Sequence, residues 1–152
     1  MISETTLSQL AELNLTGRPL VICDVDEVVV HFTRDFEAFL AARGLWLDTS
    51  SFALNGNIRK AVGNDPIPNT DVVELIDIFF VERTLHMEPI DGAIDSLLHI
   101  SEAADVVMLT NLPHTSGADR RRNLAGHGLP FPVVTNSGPK GPAIRKLATR
   151  AR

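Results

Sequence analysis

Two aspartates one residue apart close an apolar run at positions 20 to 28, LVICDVDEV. Such a run belongs in a protein interior, so its end delivers Asp24 and Asp26 to the rim of whatever element it forms. Farther along, DVVMLTN ends in Thr110 and Asn111, and FPVVTNSGPK leads to Lys140. Two carboxylates, a hydroxyl, an amide and an ammonium on one rim suit phosphoryl transfer. A carboxylate such as Asp24 can attack phosphorus to form an aspartyl phosphate, which splits one hard step into two. Magnesium, a hard cation that prefers carboxylate oxygen, would screen the repulsion between nucleophile and phosphate. An amine and a hydroxyl would hold the charged oxygens as the transition state forms. The second aspartate, two residues on, is placed to protonate the leaving oxygen.

The elements that must position these groups follow from the periodicity. Leu7, Leu10, Ala11 and Leu13 keep a helical spacing, and Gly17 precedes the strand PLVICDV. That strand is apolar at nearly every position, as expected when both faces are buried in a parallel sheet. DFEAFLAARG puts Phe36, Phe39 and Leu40 on one helical face and stops at Gly44. Residues 46–69 carry the turn signals NGN and NDPIPN and read as irregular. A long helix is expected from Asp71 to about Met87, apolar around most of its circumference (Val72, Val73, Leu75, Ile76, Ile78, Phe79, Phe80) and therefore covered on several sides. Three helix signals follow, around Ile94 to Leu98, in ADRRRNLAGHG, and in GPAIRKLATRAR with Pro142 in its first turn, separated by the strands that end at Thr110–Asn111 and before Lys140. Alternating strands and helices predict a doubly wound parallel α/β sheet. In an open parallel sheet of this kind ligands bind beyond the carboxyl ends of the strands, where all five residues lie.

Composition sets the remaining bounds. The 152 residues suffice for one compact domain with a real core, and 44% hydrophobic with 22% charged residues is ordinary for a globular protein. No apolar stretch approaches the roughly 18 residues of a membrane span. The polar start MISETTLSQL lacks the pattern of a signal peptide, and the one cysteine, Cys23, reads as a buried inert thiol, so a cytoplasmic location is expected. All 19 acidic residues lie at or before Asp119, while eight basic residues and no acidic one follow it. These basic residues are interleaved with helix signals and not with aromatics, which reads as solvated helix faces and not as a nucleic-acid surface.

The three motifs together resemble those of the haloacid dehalogenase-like superfamily, most of whose members are magnesium-dependent phosphatases. DVDEV is similar to its first motif, VVMLTN to its second and GPK to its third. The resemblance covers most of the chain and implies a Rossmann-like core of residues 1–31 and 90–152. Residues 32–89 would form a small, mostly helical cap insertion lying over the sheet. It further implies that Asp24 is nucleophile and Mg2+ ligand, that Asp26 is acid/base and gives the metal its backbone carbonyl, that Thr110 binds the transferring phosphoryl group with Asn111 beside it, and that Lys140 orients nucleophile and phosphate. The substrate would be a small phosphorylated metabolite. Asp26 argues against dehalogenation, because dehalogenases of the superfamily typically lack it. Glu27 stands where the superfamily commonly has glycine. His31, Arg34, Arg59 and Lys60 are the cations that could face a substrate.

One expected part is absent from the sequence. The superfamily's fourth motif, acidic residues after a further strand lying directly beside the first, has no counterpart after Lys140. The first strand should then be a sheet edge, open to pairing with another chain. Three readings follow: a C-terminally incomplete phosphatase with impaired activity; a non-catalytic phosphate-binding or interaction module that dimerises across the edge; or a metal site completed by Glu27, a cap residue or a partner chain. A response-regulator receiver fits less well, since Gly141 follows Lys140 and no intermediate apolar strand ends in Asp. No Gly-x-Gly-x-x-Gly supports dinucleotide binding.

Overall fold

A computed structural model describes residues 1–51 and 53–151; Arg152, counted above with the basic tail, lies outside them. The elements in chain order are α1 (Glu4–Ala11), β1 (Leu20–Cys23), α2 (Thr33–Ala41), β2 (Leu45–Leu47), β3 (Ile58–Lys60), α3 (Asn69–Arg83), a 3-10 turn (Thr84–His86), α4 (Ala93–Ser101), β4 (Asp105–Asn111), a second 3-10 turn (His114–Ser116), α5 (Gly117–Gly126), β5 (Val133–Asn136) and α6 (Gly141–Arg150). They form two compact units, one of residues 1–31 and 84–151, the other Phe32–Arg83.

The first unit is α/β, built on a three-stranded parallel sheet in the order β1-β4-β5. Leu20 pairs with Asp105 and Cys23 with Met108, while Thr110 pairs with Thr135 and Asn111 with Asn136. Because side chains alternate across a strand, Val107, Leu109 and Val134 share one face, where they pack with Leu10 and Leu13 and with Ala143 and Leu147 of α6. Cys23 points to the other face and lines a small cleft with Ala93, Ser96 and Leu97 of α4. Ser3 caps α1 by accepting from Thr6 N–H at 3.1 Å, as a serine preceding a helix does.

The two edges of this sheet are treated differently. On β5, Thr135 N–H donates to Gln9 Oε1 (2.7 Å) and Thr135 C=O accepts from Thr6 Oγ1 (2.8 Å), so side chains of α1 block further pairing. Among the described residues β1 has β4 on one side and no strand on the other. Pro19 C=O accepts from Asp105 N–H at 2.8 Å, so the backbone groups of Val21 and Cys23 turn toward β4 and those of Leu20 and Ile22 turn outward. This corrects the expectation that the strand is buried on both faces. All four of its residues are only half-buried, Cys23 included, because the strand is an edge.

In the second unit five phenylalanines form the packing centre. Phe36 and Phe79 meet edge to face at 5.1 Å, and Phe32, Phe39 and Phe80 surround them. Arg43 closes one side, its guanidinium 3.6 Å from the Phe39 ring centre and both carboxylate oxygens of Glu82 within 3.1 Å. The segment expected to be irregular contains the antiparallel hairpin β2–β3, so the insertion is not only helical. Helix α3 is not covered on several sides either. Val72, Phe79 and Phe80 are buried, whereas Val73 and Val81 are 59% and 67% exposed. Its apolar residues outnumber the positions that face the aromatic cluster.

Candidate active site

The loop after β1 is wound tightly enough to fix both aspartates. Val25 C=O accepts from the N–H groups of Val28, Val29 and Val30, and Glu27 N–H returns to Val30 C=O. Closing this loop places Glu27 at φ +59°, in the left-handed region that glycine occupies most readily. The chain then leaves through pairings of Val29 with Ile90 and of His31 with Glu88, which anchor the loop to the segment before α4.

Asp24 is about half exposed. Its Oδ1 accepts from Val25 N–H at 2.7 Å and its Oδ2 lies 2.5 Å from Lys140 Nζ. Asp26 points inward. Its Oδ2 accepts from the Thr110 hydroxyl at 3.3 Å, and its Oδ1 accepts from Arg120 Nη2 at 2.5 Å. Thr110 is fully buried at the end of β4. Thus Asp24 meets Lys140, and Asp26 meets Thr110, at the carboxyl ends of neighbouring parallel strands.

Asn111 is engaged differently from Thr110. Its Nδ2 donates to Gly138 C=O (2.8 Å) and its Oδ1 accepts from Asn136 Nδ2 (2.8 Å), which also donates to Gly138 C=O (3.0 Å). Gly138 has φ +76°, and the Ser137–Gly138–Pro139 turn it makes leads to Lys140. The two asparagines therefore clasp the turn that delivers the lysine. Arg34 pairs with Asp35, and Arg59 donates to Asn64 C=O, both within the second unit.

Two participants escape the sequence reading. The sequence pattern places Arg120 among solvated basic residues, yet it is completely buried while Arg121 and Arg122 are exposed. The phase of α5 explains the difference, since Arg120 shares the inward face with Gly117 and Leu124, three and four residues away. Asn136 had a signal too, because β4 and β5 both end in Thr-Asn and the register sets the two pairs side by side.

Burial pushes the Asp26 carboxyl above its ordinary range; Arg120 opposes this, the charge of Asp24 adds to it, and the Thr110 hydroxyl opposes it. Burial likewise lowers Arg120 against the pull of Asp26. The Cys23 thiol, which donates to Asp24 C=O at 3.0 Å, is raised by burial and by Asp24, which keeps it a poor nucleophile.

The donors suited to a hard cation are the Asp24 carboxylate and the oxygens of Asp26. Among the described residues no group of three His, Cys, Asp or Glu side chains is assembled for a metal. Two aspartates are still an adequate protein share for magnesium, which commonly keeps waters and takes its other ligands from substrate phosphate. No helix among the described residues is long and apolar enough to cross a membrane. The chain matches no family model and no curated protein.

Proposed function

We propose that this chain carries the catalytic apparatus of a magnesium-dependent phosphatase of the haloacid dehalogenase-like type, acting on a small phosphorylated substrate through an aspartyl phosphate on Asp24. The observation that carries the reading is the pairing of Asp24 with Lys140 beside Asp26 with Thr110, at the ends of adjacent strands. Supporting it are the strand order β1-β4-β5 with helices on both sheet faces, compatible with a doubly wound core, and the left-handed Glu27 where the superfamily commonly has glycine.

In this reading an Asp24 carboxylate oxygen attacks phosphorus as the ester P–O bond breaks. The leaving oxygen keeps the bonding pair and takes a proton from Asp26. Water then attacks the same phosphorus and returns a proton to Asp26, and the P–O bond to Asp24 breaks to release inorganic phosphate. Lys140 and Thr110 hold the phosphoryl oxygens through both halves. Magnesium, held by the Asp24 carboxylate and the Asp26 backbone carbonyl, would supply charge neutralisation between nucleophile and phosphate.

The test is turnover of 4-nitrophenyl phosphate with and without magnesium, by the wild-type chain and by Asp24→Asn. Magnesium-dependent release that Asp24→Asn abolishes is expected; undiminished release by that variant would sink the reading. A non-catalytic phosphate-binding or interaction module that dimerises through β1 is the second reading, favoured by the open edge of that strand. It predicts a dimer in sedimentation equilibrium and no turnover.

A further inference from the structure

Arg120 is the largest fully buried side chain among the described residues. Its one described hydrogen bond runs from Nη2 to Asp26 Oδ1, while Nε and Nη1 are buried without hydrogen-bond partners among the described residues. Burying a guanidinium with most of its donors idle is an unfavourable way to stabilise a fold, and apolar residues of similar volume commonly do as well or better. The exposed Arg121 and Arg122 show that helix α5 does not need an arginine to face inward for solubility or helix propensity. What distinguishes Arg120 is its target, a carboxylate that also accepts from Thr110 and lies two residues from Asp24.

We propose that Arg120 is a positioning residue for Asp26. By holding Oδ1 it fixes the rotation of the carboxyl group and leaves Oδ2, on the Thr110 side, as the oxygen that exchanges a proton with the leaving group and then with the attacking water. This role rests on the phosphatase reading. A guanidinium suits it because it stays protonated, so it does not compete with Asp26 as a proton source. Its planar fork also restricts orientation more tightly than an ammonium does.

The role has a signature that loss of structure lacks. A poor leaving group needs the proton from Asp26, whereas nitrophenolate leaves readily without it. The experiment compares single-turnover release at saturating magnesium from 4-nitrophenyl phosphate and from a primary alkyl phosphate. Arg120→Met is expected to slow alkyl release by about a hundredfold, the scale of a catalytic group misplaced by an ångström. Nitrophenol release should slow by about tenfold at most, with apparent affinity for either ester within about threefold. Asp26→Asn should show the same bias, and the Asp26→Asn/Arg120→Met double variant should be no slower than Asp26→Asn alone, since both act through one carboxyl group. Arg120→Lys, which keeps the charge without the fork, should lose less with the same bias and serves if Arg120→Met does not fold. Equal losses on both esters in a folded variant, or multiplicative losses in the double variant, would overturn the role alone. A wild-type chain that turns over neither ester would overturn the phosphatase reading and this role with it.

Discussion

Lys140 Nζ lies 2.5 Å from Asp24 Oδ2, although 116 residues of sequence separate them. The contact exists because β1 and β5 run parallel on either side of β4 and end at the same rim. It satisfies a carboxylate that is about half exposed, so the pair adds little to stability, on the order of 1 kcal/mol or less for such an ion pair. In the proposed phosphatase its consequence lies in the charge it would present to an incoming phosphate.

Lys140→Met should therefore separate activity from folding. If the site transfers a phosphoryl group as proposed, removing one preorganised cation from it is expected to lower kcat by about 10²–10³-fold. The urea midpoint should stay within the range set by a surface pair. A large shift in that midpoint with kcat maintained would assign the lysine to the fold.

Asn136→Ala tests the clasp on the turn before Lys140. The substitution removes the donor to both Asn111 Oδ1 and Gly138 C=O, and Asn136 is 3% exposed. Losing buried hydrogen bonds of this kind costs about 1–3 kcal/mol. Activity should also fall, because Lys140 loses its fixed approach to Asp24. Asn136→Ala with stability and turnover both as in wild type would show that the turn holds itself.

Much of this arrangement is legible in the sequence because the strands that carry it advertise themselves. LVIC and DVVMLT are apolar runs, and a run that ends in Asp or in Thr-Asn announces which residue reaches the rim. The same patterns misled where burial depends on a neighbour elsewhere. LVIC reads as buried on both faces from its composition alone, whereas it is the sheet edge also expected for it, its outer side meeting no described strand and its side chains staying half-exposed. Three consecutive arginines look equally solvated until the phase of α5 turns one of them inward. The hairpin β2–β3 has strands of three residues each, too short for alternation to register against the turn signals between them.

Asp105 predicts a pH dependence of stability. Thr16 N–H and Oγ1 donate to its two oxygens at 2.7 and 2.8 Å, and Arg18 adds two more donors, Nε and Nη2, which ties the segment before β1 to the start of β4. The Thr16 backbone bond first, then its hydroxyl and Arg18, hold the carboxyl below its ordinary range. A folded pKa below the unfolded value gives stability that is complete above the ordinary carboxylate pKa of about 3.9. That stability fades as pH falls through the lower folded value. Urea midpoints followed downward from about pH 6 should drop more steeply for wild type than for Asp105→Asn once the pH passes below about 4. Parallel curves for the two would remove Asp105 from the account.

Glu27 allows the backbone of the loop after β1 to be tested apart from its side chains. At φ +59° a residue with a Cβ pays roughly 1–2 kcal/mol that glycine escapes. Glu27→Ala and Glu27→Gly both remove whatever the glutamate side chain contributes, so the difference between them isolates the conformation. In an ordinary extended or helical position glycine would be the less stable of the two, by roughly 0.5–1 kcal/mol in element interiors. Here the order should reverse, with Glu27→Gly the more stable by about 1 kcal/mol, read as a difference in thermal midpoint of a few degrees. Alanine equal to or more stable than glycine would mean that the loop relaxes out of the left-handed region, and the hydrogen bonds from Val28, Val29 and Val30 to Val25 C=O would then no longer define the approach of Asp24 and Asp26 to the rim.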